Sequence, residues 1–176
     1  MFISQIMKTN SIYFVSDISD KMIEIFKTRF EESEFEAKTF LKEIENPANL
    51  EEEIQKLDKY NKKIFILNAN NELLPYPDSY FDCYISSLSL MMVSSHQNQL
   101  SEAYRVLEEG GTAGFTVWGR PENTSFYTFI PEIFEEAEVP LKKYKNSFHL
   151  SDKDFLVNEA KKIGFKSVKA FYTMTC

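Results

Sequence analysis

Several stretches of this 176-residue chain carry groups that could do chemistry. Asp17 closes the apolar run Ile12-Tyr13-Phe14-Val15 and stands just before Ser19 and a helical stripe. A carboxylate at the end of a strand can accept two hydroxyl hydrogen bonds from one ligand. It can equally face the dipole of the helix that it precedes. Asn70-Asn71-Glu72 offers amide and carboxylate groups on a loop, although asparagine is also an ordinary turn former. Ser86, Ser87 and Leu88 end a further apolar run, and Trp118 and Arg120 follow another. His96 and His149 stand alone, with no acid or cysteine at ligand spacing, so no metal is expected. Cys83, inside a predicted strand, reads as a buried small hydrophobe. The sequence contains no Ser-His-Asp set and no paired carboxylates, so no side chain is assigned as catalytic. It also lacks a phosphate-cradling glycine loop, either Gly-x-Gly-x-x-Gly or the P-loop pattern.

The elements that must position these groups are legible as alternating strands and helices. Ile12–Val15 is long enough for one buried strand. Ser19 is a plausible N-cap, and Met22, Ile23, Ile25, Phe26 and Phe30 give an apolar stripe over a helix from about Asp20 to Ser33. Phe35–Leu41 is ambiguous, Asn46-Pro47 breaks the chain, and Leu50–Leu57 reads as a charged helix with a solvated acidic face. Ile64–Leu67 is a strand without polar alternation, as expected where both faces are covered. Asn68–Ser79 is a polar loop, and Phe81–Leu90 is a third apolar run. The next helix, Leu100–Leu107, is expected to stop at Glu109-Gly110-Gly111, with a strand over Thr112–Trp118. A Phe/Ile-rich helix over about Thr124–Ala137 follows. Ser151 and Asp154 resemble a capping box opening a helix that ends at Gly164. Ser167–Met174 is expected as a last strand. This alternation predicts an α/β fold with a mainly parallel sheet in one domain spanning residues 1–176.

Composition narrows the partners. Against 27 Asp+Glu there are only 20 Lys+Arg, a net charge of −7, which argues against a nucleic-acid backbone as the ligand. No run of about 18 apolar residues occurs, so no membrane span is expected. The two cysteines are far apart in the sequence, and a reducing, cytoplasmic compartment is the default. The start of the chain carries no secretory pattern.

Three stretches, in order and spacing, resemble the class I S-adenosylmethionine-dependent methyltransferases of the small-molecule type, the group called type 11. They are Val15-Ser16-Asp17-Ile18-Ser19-Asp20-Lys21-Met22, the loop and strand start from Asn70 to Asp82, and Tyr104-Arg105-Val106-Leu107-Glu108-Glu109-Gly110-Gly111. The resemblance implies a Rossmann-like sheet with helices on both faces and S-adenosylmethionine as cofactor. It implies cofactor-binding roles for Asp17, Ile18, Asn70, Asn71, Glu72, Ser87 and Leu88. Asp17 would take the ribose hydroxyls and Ile18 would lie against the adenine. The Asn70-Asn71-Glu72 loop would meet the adenine edge, with Asn70 in place of the family's Asp. Ser87 and Leu88 would lie beside the methionine part. The methyl acceptor, a small molecule or a protein, stays open.

The family's first strand and its Gly-x-Gly-x-Gly turn have no counterpart here, because no glycine precedes Gly110. Met1–Thr9 aligns with the helix after that turn. The chain is therefore expected to be truncated at its N-terminus and to stop before the family's last strand. Unpaired buried backbone groups cost about 1–3 kcal/mol each, so a missing central strand would rival the ~5–15 kcal/mol stability of a whole domain. Three readings stay open: a fragment of a full enzyme, a partner chain that supplies the strand, or a degenerate methyltransferase acting as a structural or interaction subunit.

Overall fold

The run Ile64-Phe65-Ile66-Leu67 lies in the central strand of a three-stranded parallel sheet, with all four side chains buried. The structure is a computed structural model describing residues 11–31, 39–44, 62–123, 125–140 and 147–173. The expected helix over Leu50–Leu57 and the Asn46-Pro47 break lie outside the described residues. The chain divides into two compact units, Met1–Pro77 and Asp78–Cys176.

In the first unit, β1 (Ser11–Asp17), β2 (Thr39–Glu43) and β3 (Lys62–Asn68) stand in the order β1-β3-β2, all parallel. Helix α1 (Asp20–Glu31) follows β1. Ser19 opens it as expected: its carbonyl accepts from Met22 and Ile23 N–H at 3.0 and 3.1 Å, and its hydroxyl accepts from Met22 N–H at 3.4 Å. Period-two alternation assigns β3 to two cores. Ile64 and Ile66 join Ile23 and Phe30 of α1, with Tyr13, Val15 and Phe26 packed around them. Phe65 instead stacks on Phe14, with ring centroids 5.4 Å apart, and Tyr76 meets Phe14 edge-on at 5.5 Å. The absence of polar alternation in β3 is thus explained by cover on both faces. The ambiguous segment Phe35–Leu41 resolves in part, because Thr39–Glu43 is a strand.

In the second unit, β4 (Phe81–Ser87) pairs in parallel with β5 (Leu107–Thr116). Helix α2 (His96–Val106) crosses between them and starts at Ser95, whose hydroxyl accepts from Asn98 N–H. It passes directly into β5 at Leu107, with no intervening loop. The expected helix stop at Glu109-Gly110-Gly111 is therefore corrected: these residues belong to a bulge in β5. Phe81 faces Leu107, but Cys83 already faces Thr112, so Glu108 to Gly111 stand opposite Asp82 alone. Gly110 takes φ +87°, and a Cβ on Gly111 would meet the Glu108 carbonyl oxygen at 3.0 Å, so glycine suits both places.

Helix α3 (Ser125–Glu136) follows a 3₁₀ turn at Pro121–Asn123, and α4 (Lys153–Ile163) closes the unit. The N-cap of α4 is Asp152 rather than Ser151. The Asp152 carboxylate accepts from Asp154 and Phe155 N–H at 2.8 and 3.2 Å, and those two bonds hold its pKa below the usual range. Gly164 ends α4 as expected, at φ +129°. Leu90, Met91, Leu100 and Leu150 form the core, with Phe115, Val117, Trp118, Leu156 and Ile163 against it. Ser167–Thr173, the described part of the expected last strand, forms no ladder: Phe171 is 79% exposed, and no strand pairs there among the described residues.

Glu159 joins α4 to α2. It accepts from Lys162 Nζ at 2.6 Å and Gln97 Nε2 at 3.1 Å, and His96 Nε2 lies 3.5 Å away. The bonds from Lys162 and then Gln97 hold its carboxyl below the ordinary glutamate value. A carboxylate whose folded pKa is depressed adds stability above its unfolded pKa and loses it as pH falls through the folded one. Glu159→Gln is expected to lower the urea midpoint at pH 7, with the gap to wild type closing as pH drops below the glutamate range. Midpoints measured from pH 7 to pH 3 check this, and a constant gap would contradict it.

Candidate functional site

Parallel strands end together, and in open α/β sheets ligands bind outside those carboxyl ends. In the first unit Asp17 pairs with Asn68, so β1 and β3 finish at one edge. The half-buried Asp17 carboxylate is held by its own turn: Oδ1 accepts from Ser19 N–H at 2.8 Å. Ala69 N–H donates to the Asp17 carbonyl at 3.1 Å, tying the chain after β3 to the end of β1. Asn68 Nδ2 donates to the Ile18 carbonyl at 3.4 Å and also to the Asp20 carboxylate. These bonds fix the Ile18 backbone, while its side chain stays 68% exposed.

The loop from Asn70 leaves the same edge. Asn70 Oδ1 accepts from Glu72 N–H at 2.9 Å, and its carbonyl accepts from Leu73 N–H at 3.0 Å. The side-chain oxygen of Asn70 therefore holds the turn, while Asn71 and Glu72, both half-buried, are carried on it. Buried Leu74 and Tyr76 anchor the far side of the loop. A cleft of about 590 Å³ opens at the ends of β2 and β3, lined by Glu43, Ile44, Leu67 and Asn68. It lies across β3 from Asp17.

In the second unit, Ser86 and Ser87 part ways. Ser86 is buried and its hydroxyl accepts from Gln99 Nε2 at 2.9 Å. Gln99, fully buried on α2, also reaches the Tyr84 hydroxyl at 3.3 Å. Ser87 is exposed, and its Oγ lies 3.0 Å from Thr116 Oγ1 at the end of β5. Leu88 follows in the left-handed region at φ +54°. Gln99 and Thr116 carry no signal in the sequence, because a lone polar residue in an apolar pattern does not say which neighbour it bonds. Trp118 packs on the core cluster, and Arg120 lies over the Tyr172 ring at 4.9 Å. Cys83 is exposed rather than buried, because it alternates with Tyr84 and Ser86, which turn to Gln99. Partial burial and Asp82 push its thiol pKa up, which suits an inert thiol rather than a nucleophile.

Residues 44–115 match the family model described as a methyltransferase domain. The uncharacterized protein MJ1123 of Methanocaldococcus jannaschii is 30% identical over 111 residues, covering 63% of this chain and 51% of that protein. The ubiquinone/menaquinone biosynthesis C-methyltransferase UbiE of Erwinia tasmaniensis is 38% identical over 56 residues, covering 32% of this chain and 22% of the enzyme. The chain thus spans about half the length of the first of these curated relatives, and less of the second. Among solved structures, an arsenic(III) S-adenosylmethionine methyltransferase from Chlamydomonas reinhardtii aligns at TM-score 0.47 and 20% identity, over 92% of this chain and 55% of that one. Residues 44–115 are thus similar to a methyltransferase domain, and a stretch of 56 residues is similar to part of a C-methyltransferase.

Proposed function

We propose that this chain binds S-adenosylmethionine and serves the transfer of its methyl group to a nucleophilic O, N, S or C atom of an acceptor by in-line displacement, with S-adenosylhomocysteine as the leaving group. The observation that carries the reading is the Asp17 carboxylate, held at the carboxyl end of β1 by Ser19 N–H at 2.8 Å. A carboxylate with one oxygen fixed by the backbone retains acceptor capacity for hydroxyl donors, and here it takes the two ribose hydroxyls. Ile18 offers an exposed apolar side chain to the adenine face. Asn71 and Glu72 frame the adenine edge, on a turn that Asn70 holds. Ser87 and Leu88 are assigned to the methionine part. When bound, the cofactor supplies a methyl group already activated on a sulfonium. The remaining work is alignment, which needs no dedicated acid or base.

Calorimetric titration of the full chain with S-adenosylhomocysteine tests the reading. Saturable binding is expected. A chain that circular dichroism finds folded and that takes up no ligand would overturn it and favour an interaction subunit without catalysis.

A further inference from the structure

Helix α3 presents an apolar face to solvent. At 3.6 residues per turn, Phe129, Ile133, Ile130 and Phe134 fall within about 140° of its circumference. Phe129 is 59% exposed, and Ile133, Phe134 and the following Val139 are exposed as well. The close neighbour of α3 among the described elements is the 3₁₀ turn at Pro121–Asn123. Apolar residues exposed singly are ordinary, but a stripe of them on one helix marks an interaction surface.

The end of this helix is fixed. Val139 N–H donates to the Phe134 carbonyl at 2.9 Å and Glu138 N–H to the Glu135 carbonyl at 3.1 Å, the pair of bonds that closes a helix around a left-handed residue. That residue is Glu138, at φ +54° where glycine is usual. Phe129, Ile133 and Phe134 thus stand on a preformed helix, which lowers the ordering cost of docking it.

The polar arc decides what covers the face. Glu132 and Glu136, one turn apart, border Phe129 and Ile133, Glu135 lies behind them, and Glu122 and Glu138 flank the helix. No Lys or Arg occurs between Arg120 and Lys142. A second copy seated face to face would set these carboxylates against their own copies, and like charges across an interface cost affinity. Helices that lie on lipid carry Lys and Arg on the polar face, and an anionic bilayer repels this one.

We propose that α3 is a docking helix for another protein, one that offers an apolar groove bordered by Lys and Arg. Phe129, Ile133 and Phe134 fill the groove, and Glu132 and Glu136 meet its rim. This surface lies within the second unit and stands whether or not the chain binds a cofactor.

Two synthetic helical hairpins serve as probes. Both present the same leucine-lined groove; one carries lysine along its rims and the other glutamate. By fluorescence anisotropy with the full chain at low salt, the lysine-rimmed hairpin is expected to bind about tenfold tighter or more, with the preference shrinking as salt rises. Phe129→Ala and Ile133→Ala should each weaken that binding by about fivefold or more and leave the circular dichroism unchanged. Glu132→Lys combined with Glu136→Lys should invert the preference. The chain stays acidic overall in that variant, so its net charge alone cannot produce the inversion. No binding of either hairpin, equal binding of both, or binding that Phe129→Ala leaves intact would overturn the proposal. A dimer in sedimentation that Phe129→Ala dissociates would also overturn it and assign the face to a second copy. Uptake on phosphatidylcholine vesicles that Phe129→Ala abolishes would overturn it in favour of a lipid surface.

Discussion

Phe65→Ala is expected to cost the first unit about 3–5 kcal/mol, the range for a fully buried aromatic truncated in a packed core. Phe65 is 0% exposed in the central strand of its sheet. Its ring stacks on Phe14, which in turn meets Tyr76, so truncation empties one side of a three-ring cluster. The neighbours are side chains of β1 and of the loop after β3, and neither can close the gap without disturbing the ladder that joins Asp17 to Asn68. A loss of that size approaches the ~5–15 kcal/mol that holds a whole domain. Amide exchange across Lys62–Asn68 should accelerate, and the urea midpoint should fall. Phe129→Ala, at a largely exposed helical position, should shift the midpoint by no more than about 0.5 kcal/mol. Equal effects of the two substitutions would show that the cluster is not a core.

The second large effect concerns ligand binding. Asp17→Ala is expected to weaken S-adenosylhomocysteine by roughly 10- to 150-fold, which is about 1.5–3 kcal/mol for hydrogen bonds to a charged group. Two contributions add in that substitution: the bonds to the ligand, and the Oδ1 bond from Ser19 N–H that fixes the turn into α1. Asp17→Asn separates them. Its side-chain oxygen can still accept from Ser19 N–H, while the charge and one acceptor are lost. The asparagine variant should therefore keep the thermal stability of wild type and still bind more weakly. If the asparagine variant binds as well as wild type, Asp17 is a helix-entry residue and not a ligand carboxylate.

What was legible in the sequence follows from how local each feature is. β1, β3 and α1 were readable because four apolar residues in a row, or a stripe at helical spacing beside Ser19, leave few alternatives. Gly164 was readable because only a residue tolerant of φ +129° ends α4 in that way. The start of β5 was not. Glu108-Glu109-Gly110-Gly111 carries the composition of a helix stop, and only the pairing with Phe81 and Cys83 shows that the strand has already begun. Ser167–Thr173 failed for the converse reason: its residues are strand-prone, but a strand exists only where a neighbour supplies the ladder. In the site, the chemical types of Asp17, Asn70 and Glu72 were visible. That Asn70 Oδ1 accepts from Glu72 N–H was not, since it depends on the loop's path. Thr116 was invisible because its partners lie 28 and 29 positions away in sequence.

The bulge in β5 also sets where this fold can change its length. Helix α2 runs into β5 without a spacer at Val106-Leu107, so a residue added there would slide the strand by about 3.3 Å and exchange its two faces. Phe115 would leave the core side and Thr116 would lose its place beside Leu88. Glu108 to Gly111, by contrast, already bow out opposite a single residue of β4. Insertions and deletions accumulated over evolution should therefore gather in that bow, with the helix-to-strand junction and the span from Thr112 to Thr116 keeping a constant count. A designed deletion of Glu109 would then be tolerated where a deletion of Leu107 is not.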